Sequence, residues 1–332
     1  MSSGVSFVKQ AIAATADLYD RVRSVIPPEE WAGFADDILA IQQLKRERHA
    51  VVLAHNYMTP EIFHGVADIV GDSLALARQA AKVDADVIVV AGVHFMAETA
   101  KLMNLSRVVL MPDLEAGCSL AESITPQDVR DLKTKHPGIP VVTYVNTSAA
   151  VKAECDICCT SGNARHVVES LGVPKVMMVP DEFLAQNVAK ETDVEIITWK
   201  GHCEVHERFT PQEVRDYRAQ HPQIAVVAHP ECPPDVVAEA DFAGSTVKMS
   251  DWVAAHRPNK VMLLTECSMS DNVAVLHPEV DFVRPCQLCP YMKKITLKKI
   301  RQSLELMTHP VEIPSEIAAS ARLAVERMVA VG

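Results

Sequence analysis

The sequence predicts an α/β protein of three similar three-layer αβα domains with parallel sheets, set with pseudo-threefold symmetry around a central site. Three observations predict it. First, short continuous apolar runs such as "DVIVVAG", "PKVMMVP" and "NKVMLLT" alternate with helix-like stretches such as "SLALARQAAKV". Runs of this kind are strands buried on both faces, hence parallel β-α-β units with right-handed crossovers. Second, the chain resembles itself three times, with openings at Val51 ("VVLAHNYMTPEIF"), Val141 ("VVTYVNTSAAVKA") and Val226 ("VVAHPECPPDVVA"). Third, one cysteine per copy keeps the same step.

The elements follow in order. Residues 1–46 lie ahead of the repeat, and "ADDILAIQQLKRE" within them reads as an amphipathic helix. The three domains are expected at 47–130, 131–215 and 216–300. Each opens with a β-branched strand, passes a polar turn and enters a helix-like stretch ending in Asp68, Asp156 or Asp241. A hydroxyl residue stands five positions later in each copy, at Ser73, Ser161 and Thr246. A second apolar strand follows, then a third ("SRVVLMP", "VEIITW", "VDFVRP"). Residues 301–332 end in a helix, "PSEIAASARLAVERMV", with Ser315 after Pro314 as its start signal. Both terminal segments are expected to pack on the repeated body. A repeat of about 86 residues is the size of a small domain, too long for a solenoid unit.

Composition narrows the function. A formal net charge of −11 over 332 residues is a poor match for nucleic acid, which calls for a basic footprint. No run approaches the roughly 18 apolar residues of a membrane span, and no secretory signal opens the chain. The expectation is a cytoplasmic protein. Nine cysteines in a reducing compartment then argue against a disulfide framework.

Cys118, Cys203 and Cys289 each follow the third strand of a copy, at intervals of 85 (203 − 118) and 86 (289 − 203). Equivalent positions around a threefold axis converge, and strand carboxyl ends are where α/β sheets place ligands. Three convergent thiolates call for a cation. Zinc and a three-cysteine [4Fe–4S] cluster both satisfy the spacing. Cys286 breaks the step (286 − 203 = 83) and reads as a neighbour, or a redox partner, of Cys289. Cys155, Cys158, Cys159, Cys232 and Cys267 read as structural.

The first-strand ends carry paired polar groups: His55 and Tyr57, Tyr144 and Asn146, His229 and Glu231. His206 joins them three residues after Cys203. Ser73, Ser161, Ser245 and Thr246 stand where helices begin, suited to carboxylates and phosphates. Neither G-x-G-x-x-G nor G-x-x-x-x-G-K-[ST] occurs, so nucleotide-phosphate chemistry is not indicated.

"AHNYMTPEI", "GVHFMAETAK", "AGCSLAE", "YVNTSAAVKA", "CTSGNA", "GHCEVHERF", "HPEC", "GST" and "CPYMKK" occur in that order. Together, over about residues 45–330, they resemble the quinolinate synthase family of de novo NAD biosynthesis. The resemblance implies a central [4Fe–4S] cluster on Cys118, Cys203 and Cys289, with one open iron. It implies condensation of iminoaspartate with dihydroxyacetone phosphate to quinolinate, with loss of phosphate and two waters. Tyr57 and Glu231 resemble the acid–base pair, and Tyr144 a tyrosine close to substrate. His55, Ser73, Asn146, Ser161, His206, His229, Ser245 and Thr246 resemble substrate-binding residues. The partners implied are L-aspartate oxidase, as supplier of iminoaspartate, and iron–sulfur assembly proteins. The chain departs from the family at "HNYM", where a Tyr at 56 and a Gln at 58 are common, and at Ser268, where Gly is usual. A non-catalytic metal or iron–sulfur sensor on the same fold is the rival reading; it would not need paired polar groups on three rims.

Overall fold

The structure, a computed structural model, describes residues 10–331. It holds three parallel four-stranded sheets. The first is β1 (Ala50–His55), β2 (Ile69–Gly71), β3 (Val87–Ala91) and β4 (Val108–Leu110), in the order β2-β1-β3-β4. The second is β5 (Val141–Tyr144), β6 (Ile157–Cys159), β7 (Lys175–Val179) and β8 (Glu195–Thr198), ordered β6-β5-β7-β8. The third is β9 (Ala225–Ala228), β10 (Phe242–Ala243), β11 (Lys260–Leu264) and β12 (Asp281–Val283), ordered β10-β9-β11-β12. Helices flank each sheet, as the apolar runs predicted.

The sequence showed three strands per copy; the fourth is the short edge strand after each repeated aspartate. Two or three residues ("IVG", "ICC", "FA") leave no periodicity to read. The aspartates fasten that edge. Asp68 accepts the backbone N–H of Val52, Asp156 that of Val141 and Asp241 that of Val226, each at 2.8 Å. The three bonds also set the equivalence of the copies. Three residues beyond each bonded valine lie His55, Tyr144 and His229. Five beyond lie Tyr57, Asn146 and Glu231. Spacing of two near a strand end places both members of each pair toward one side.

The helices close the ring. Pro126–Lys135 packs Val129 against Val141 and Met177 of the second sheet, and Pro211–Gln220 packs Val214 against Val226 and Met262 of the third. Both begin with a capping box, Thr125 with Asp128 and Thr210 with Glu213. The corresponding helix of the last copy, Leu297–Leu306, returns to the first sheet, where it shares a core with Ile38 and Ile41 of helix Pro28–Glu47. These three helices run across positions 130/131, 215/216 and 300/301. Helix Ser315–Ala330 then buries Ala321, Ala324, Val325 and Met328 in the same core. Among the described residues no helix is long and apolar enough to cross a membrane.

One expectation is overturned. Cys286 forms a disulfide with Cys267, so neither is a lone thiol and Cys286 is not the redox partner of Cys289. Cys267 opens the helix after β11, and Cys286 follows β12, the neighbouring strand. Cys267 N–H bonds the carbonyl of Gln287 at 3.0 Å, and the two Cα atoms come within 4.9 Å, inside disulfide reach. A separation of 19 residues hid this adjacency. The other seven cysteines are free.

Candidate active site

After β4, β8 and β12 the chain makes the same turn three times. Cys118, Cys203 and Cys289 each start it, and the N–H four residues on bonds the cysteine carbonyl: Glu122 at 3.0 Å, Glu207 at 3.0 Å, Lys293 at 3.2 Å. Each sulfur accepts backbone N–H groups from the residues two and three further on. These are Leu120 and Ala121, Val205 and His206, Tyr291 and Met292. All three cysteines line one cavity, with about 680 Å³ of atom-free space including its mouth. Burial pushes the Cys118 thiol up to about 12, the Cys289 thiol up to about 11 and Cys203 well above its ordinary value. Thiols so placed ionise only for a cation, and N–H groups aimed at sulfur are what bound thiolates want.

A second donor set overlaps the first: Cys203, His206 and Glu231 offer ligand atoms within 4.8 Å of one another. Those atoms already satisfy each other. His206 Nδ1 lies 2.7 Å from Glu231 Oε2 and 3.1 Å from Cys203 Sγ, and the Tyr144 hydroxyl donates to Glu231 Oε1 at 2.5 Å. This set is a hydrogen-bond network. Cys203 belongs to both sets, and Cys118 and Cys289 line the same cavity beside it.

The strand tips supply the rest of the wall. His55 Nδ1 accepts the N–H of Tyr57 at 3.2 Å, and His229 Nδ1 accepts the N–H of Glu231 at 3.3 Å. Both rings therefore carry their proton on Nε2. Burial lowers His55 to about 4 and His229 to about 3, so both are neutral donors at pH 7. Ser161 Oγ lies 3.2 Å from His229 Nε2 and accepts from it.

A chain of hydrogen bonds crosses the cavity. The Tyr57 hydroxyl is 2.6 Å from Thr265 Oγ1, which is 3.0 Å from His206 Nε2; His206 Nδ1 meets Glu231, and Glu231 meets Tyr144. Its five members come from all three domains. Burial, then the Glu231 charge, raises Tyr57 and Tyr144 well above their ordinary range, so both remain phenols that donate. Burial pushes Glu231 up, but His229, His206 and the bonds from His206 and Tyr144 outweigh it. The carboxyl stays below its usual range and ionised.

Of the residues expected from sequence, His55, Tyr57, Ser73, Cys118, Tyr144, Asn146, Ser161, Cys203, His206, His229, Glu231, Thr246 and Cys289 all line this cavity. Ser245 stands outside the lining, where its Oγ caps helix Thr246–His256 at the N–H of Lys248. Sequence reasoning missed Thr265, Glu266 and Lys293. Lys293 Nζ holds the Tyr57 carbonyl (2.9 Å), Ser268 Oγ (2.7 Å) and Glu266 Oε1 (2.9 Å), tying the tyrosine to the Cys289 turn. Thr265 and Glu266 directly follow β11, at the strand end where such residues are sought. Asn56 Nδ2 also donates to Thr246 Oγ1 at 2.8 Å, fixing the first rim against the third domain.

A model of the quinolinate synthetase A protein family matches residues 39–330. The chain is 69% identical over 318 residues to quinolinate synthase 2 of Mesorhizobium japonicum, covering 96% of this chain and 98% of that protein. It is 67% identical over 324 residues to a quinolinate synthase of Agrobacterium fabrum, covering 98% and 94%. It is 55% identical over 327 residues to one of Caulobacter vibrioides, covering 97% and 89%.

Proposed function

The chain belongs to the quinolinate synthetase A family, and on that premise we propose that it condenses iminoaspartate with dihydroxyacetone phosphate. The products are quinolinate, phosphate and two waters, a transferase-type step of NAD biosynthesis. One observation carries the reading: the three equivalent cysteines and the Tyr57–Glu231 chain face the same cavity. Cys118, Cys203 and Cys289 would hold a [4Fe–4S] cluster, which when bound supplies a Lewis-acidic iron with an open position.

The protein's own groups do the remaining work. Both substrates are anionic, and the wall offers them neutral donors: His55 through Nε2–H and the Ser161 hydroxyl, which His229 Nε2–H holds in place, with Ser73, Asn146 and Thr246 beside them. Ser73 begins helix Ser73–Ala80, so backbone N–H groups reinforce it. Glu231, ionised, accepts a proton from a substrate carbon. Tyr57 donates one to a departing hydroxyl, and Tyr144 holds Glu231 in place. Each link from Glu231 through His206 and Thr265 to Tyr57 has a donor facing an acceptor, so a proton gained at one end can be returned to the other before the second water leaves. Iminoaspartate arises by oxidation of aspartate, so an L-aspartate oxidase is the supplying partner, and iron–sulfur assembly proteins load the centre.

The test is anaerobic turnover of the two substrates by iron-loaded protein, with Tyr57→Phe and Glu231→Gln beside it. Quinolinate from the parent, lost in both variants while iron stays bound, is the expected result. Iron without quinolinate in the parent would overturn the reading in favour of a sensor.

A further inference from the structure

Lys152 lies in helix Ala149–Ala153 and is fully buried, at 0% exposure. Its ammonium donates to the carbonyls of Val145, at 2.8 Å, and Thr147, and sits 5.6 Å from the centre of the Phe95 ring. Among the described residues no carboxylate lies within ion-pair distance of it. Burial pulls the Lys152 ammonium below its ordinary value, against the Cys158 thiol and then Glu98; Glu98, the carboxylate that bears on it most, instead accepts the N–H of Ala149 at 2.9 Å. An unpaired buried cation is costly, and nothing in the fold alone calls for one.

Its surroundings suggest a use. The two carbonyls it holds flank Asn146, whose side chain lines the cavity and whose buried Oδ1 has no partner. Phe95 lines the cavity too. Lys152 therefore stands one layer behind the wall, separated from the cavity by the Asn146 loop and an aromatic ring whose face favours a cation.

We propose that Lys152 is a positioning residue for anionic substrate groups: it fixes the Asn146 loop and supplies the buried positive charge that holds a carboxylate lodged against that loop. The proposal rests on the function proposed above. It explains why this lysine is left without a carboxylate partner: the countercharge arrives with the ligand.

The test separates charge from clamp. Lys152→Gln keeps an N–H₂ group for the two carbonyls and removes the charge; Lys152→Met removes both. Iron content and thermal melting establish that each variant folds. Affinity is then measured by anaerobic calorimetry for quinolinate, a dianion, and for its uncharged diamide, pyridine-2,3-dicarboxamide. Lys152→Gln should weaken quinolinate on the order of tenfold, the scale of one charge acting through protein at an effective dielectric constant of about 20, and leave the diamide within about twofold. Equal losses for both ligands, or no loss for quinolinate, would overturn it. Failure of both variants to fold would assign Lys152 to structure alone and overturn it as well. A parent protein that fails to bind quinolinate would instead sink the proposed function, and this inference with it.

Discussion

Two parts of the cavity wall descend from the same threefold repeat and have gone opposite ways. The cysteine turns remain alike: same residue, same N–H to carbonyl bond four residues on, same pair of N–H groups on sulfur. The first-strand tips have diverged to His55 and Tyr57, Tyr144 and Asn146, His229 and Glu231. The lesson is that symmetry persists where the partner is indifferent to which domain it meets, and fails where the partner has a head and a tail. A metal centre tolerates three equal ligands. On the proposed function, two unlike substrates need a base on one side, an acid on another and anion donors between.

The sharpest way to break this contrast is at the cysteines. Cys118→Ser, Cys203→Ser and Cys289→Ser should each abolish both iron binding and quinolinate formation, and to the same degree. Iron analysis of anaerobically purified protein checks it. One variant that retains full iron and turnover would show that the turns are not equivalent. Changes at the strand tips should do the reverse, losing turnover with iron intact.

The next largest effect concerns acid. His55 and His229 are buried neutral, with values lowered from 6.5 to about 4 and about 3. The unfolded chain therefore binds protons that the folded chain refuses as pH falls below 6.5, so stability rises with pH through this window and is lost on acidification. Between pH 6.5 and pH 4 the loss is on the order of 3 kcal/mol per ring. Tyr144, their counterpart in the second domain, adds nothing there. Denaturant midpoints against pH should flatten in His229→Gln; an unchanged slope would mean that His229 titrates as in water.

The contrast also explains what could be read from sequence. The cysteine turns were legible because repetition is visible: intervals of 85 and 86 stand out in a chain that already repeats. The strand-tip pairs were legible because β-branched runs announce their own ends. Thr265 was not, because it pairs with Tyr57 from 208 positions away. Nor was the buried fit of Lys152, since a lysine in a short helix reads as surface. The edge strands escaped through brevity, and the Cys267–Cys286 bond because β11 and β12 are neighbours only once folded.

A smaller effect belongs to Thr265, which sits where the first sheet has Gly92 and the second Pro180, so it too marks divergence. Thr265→Val keeps shape and removes the hydroxyl between Tyr57 and His206. Turnover should fall roughly 10- to 100-fold, below the loss from removing an acid or base outright, with iron content and KM unchanged. Steady-state kinetics on iron-loaded protein decides it. A rise in KM alone would place Thr265 in binding and leave the proton chain unsupported.

The smallest functional effect is expected next door to the most sensitive residue. Cys286 is three positions from Cys289 but falls out of the repeat, and its sulfur is engaged by Cys267. Cys286→Ala should cost on the order of 2–4 kcal/mol of stability under oxidising conditions, the usual value of closing a loop of this length, and almost nothing once the bond is reduced. Iron content and turnover should match the parent, because the Cys289 turn is held separately. Its Cys289 N–H bonds Glu266, and Glu266 is tied to Lys293. Loss of iron in Cys286→Ala would show that the turn depends on the neighbouring disulfide, and that the third cysteine turn is less like the other two than their shared hydrogen bonds imply.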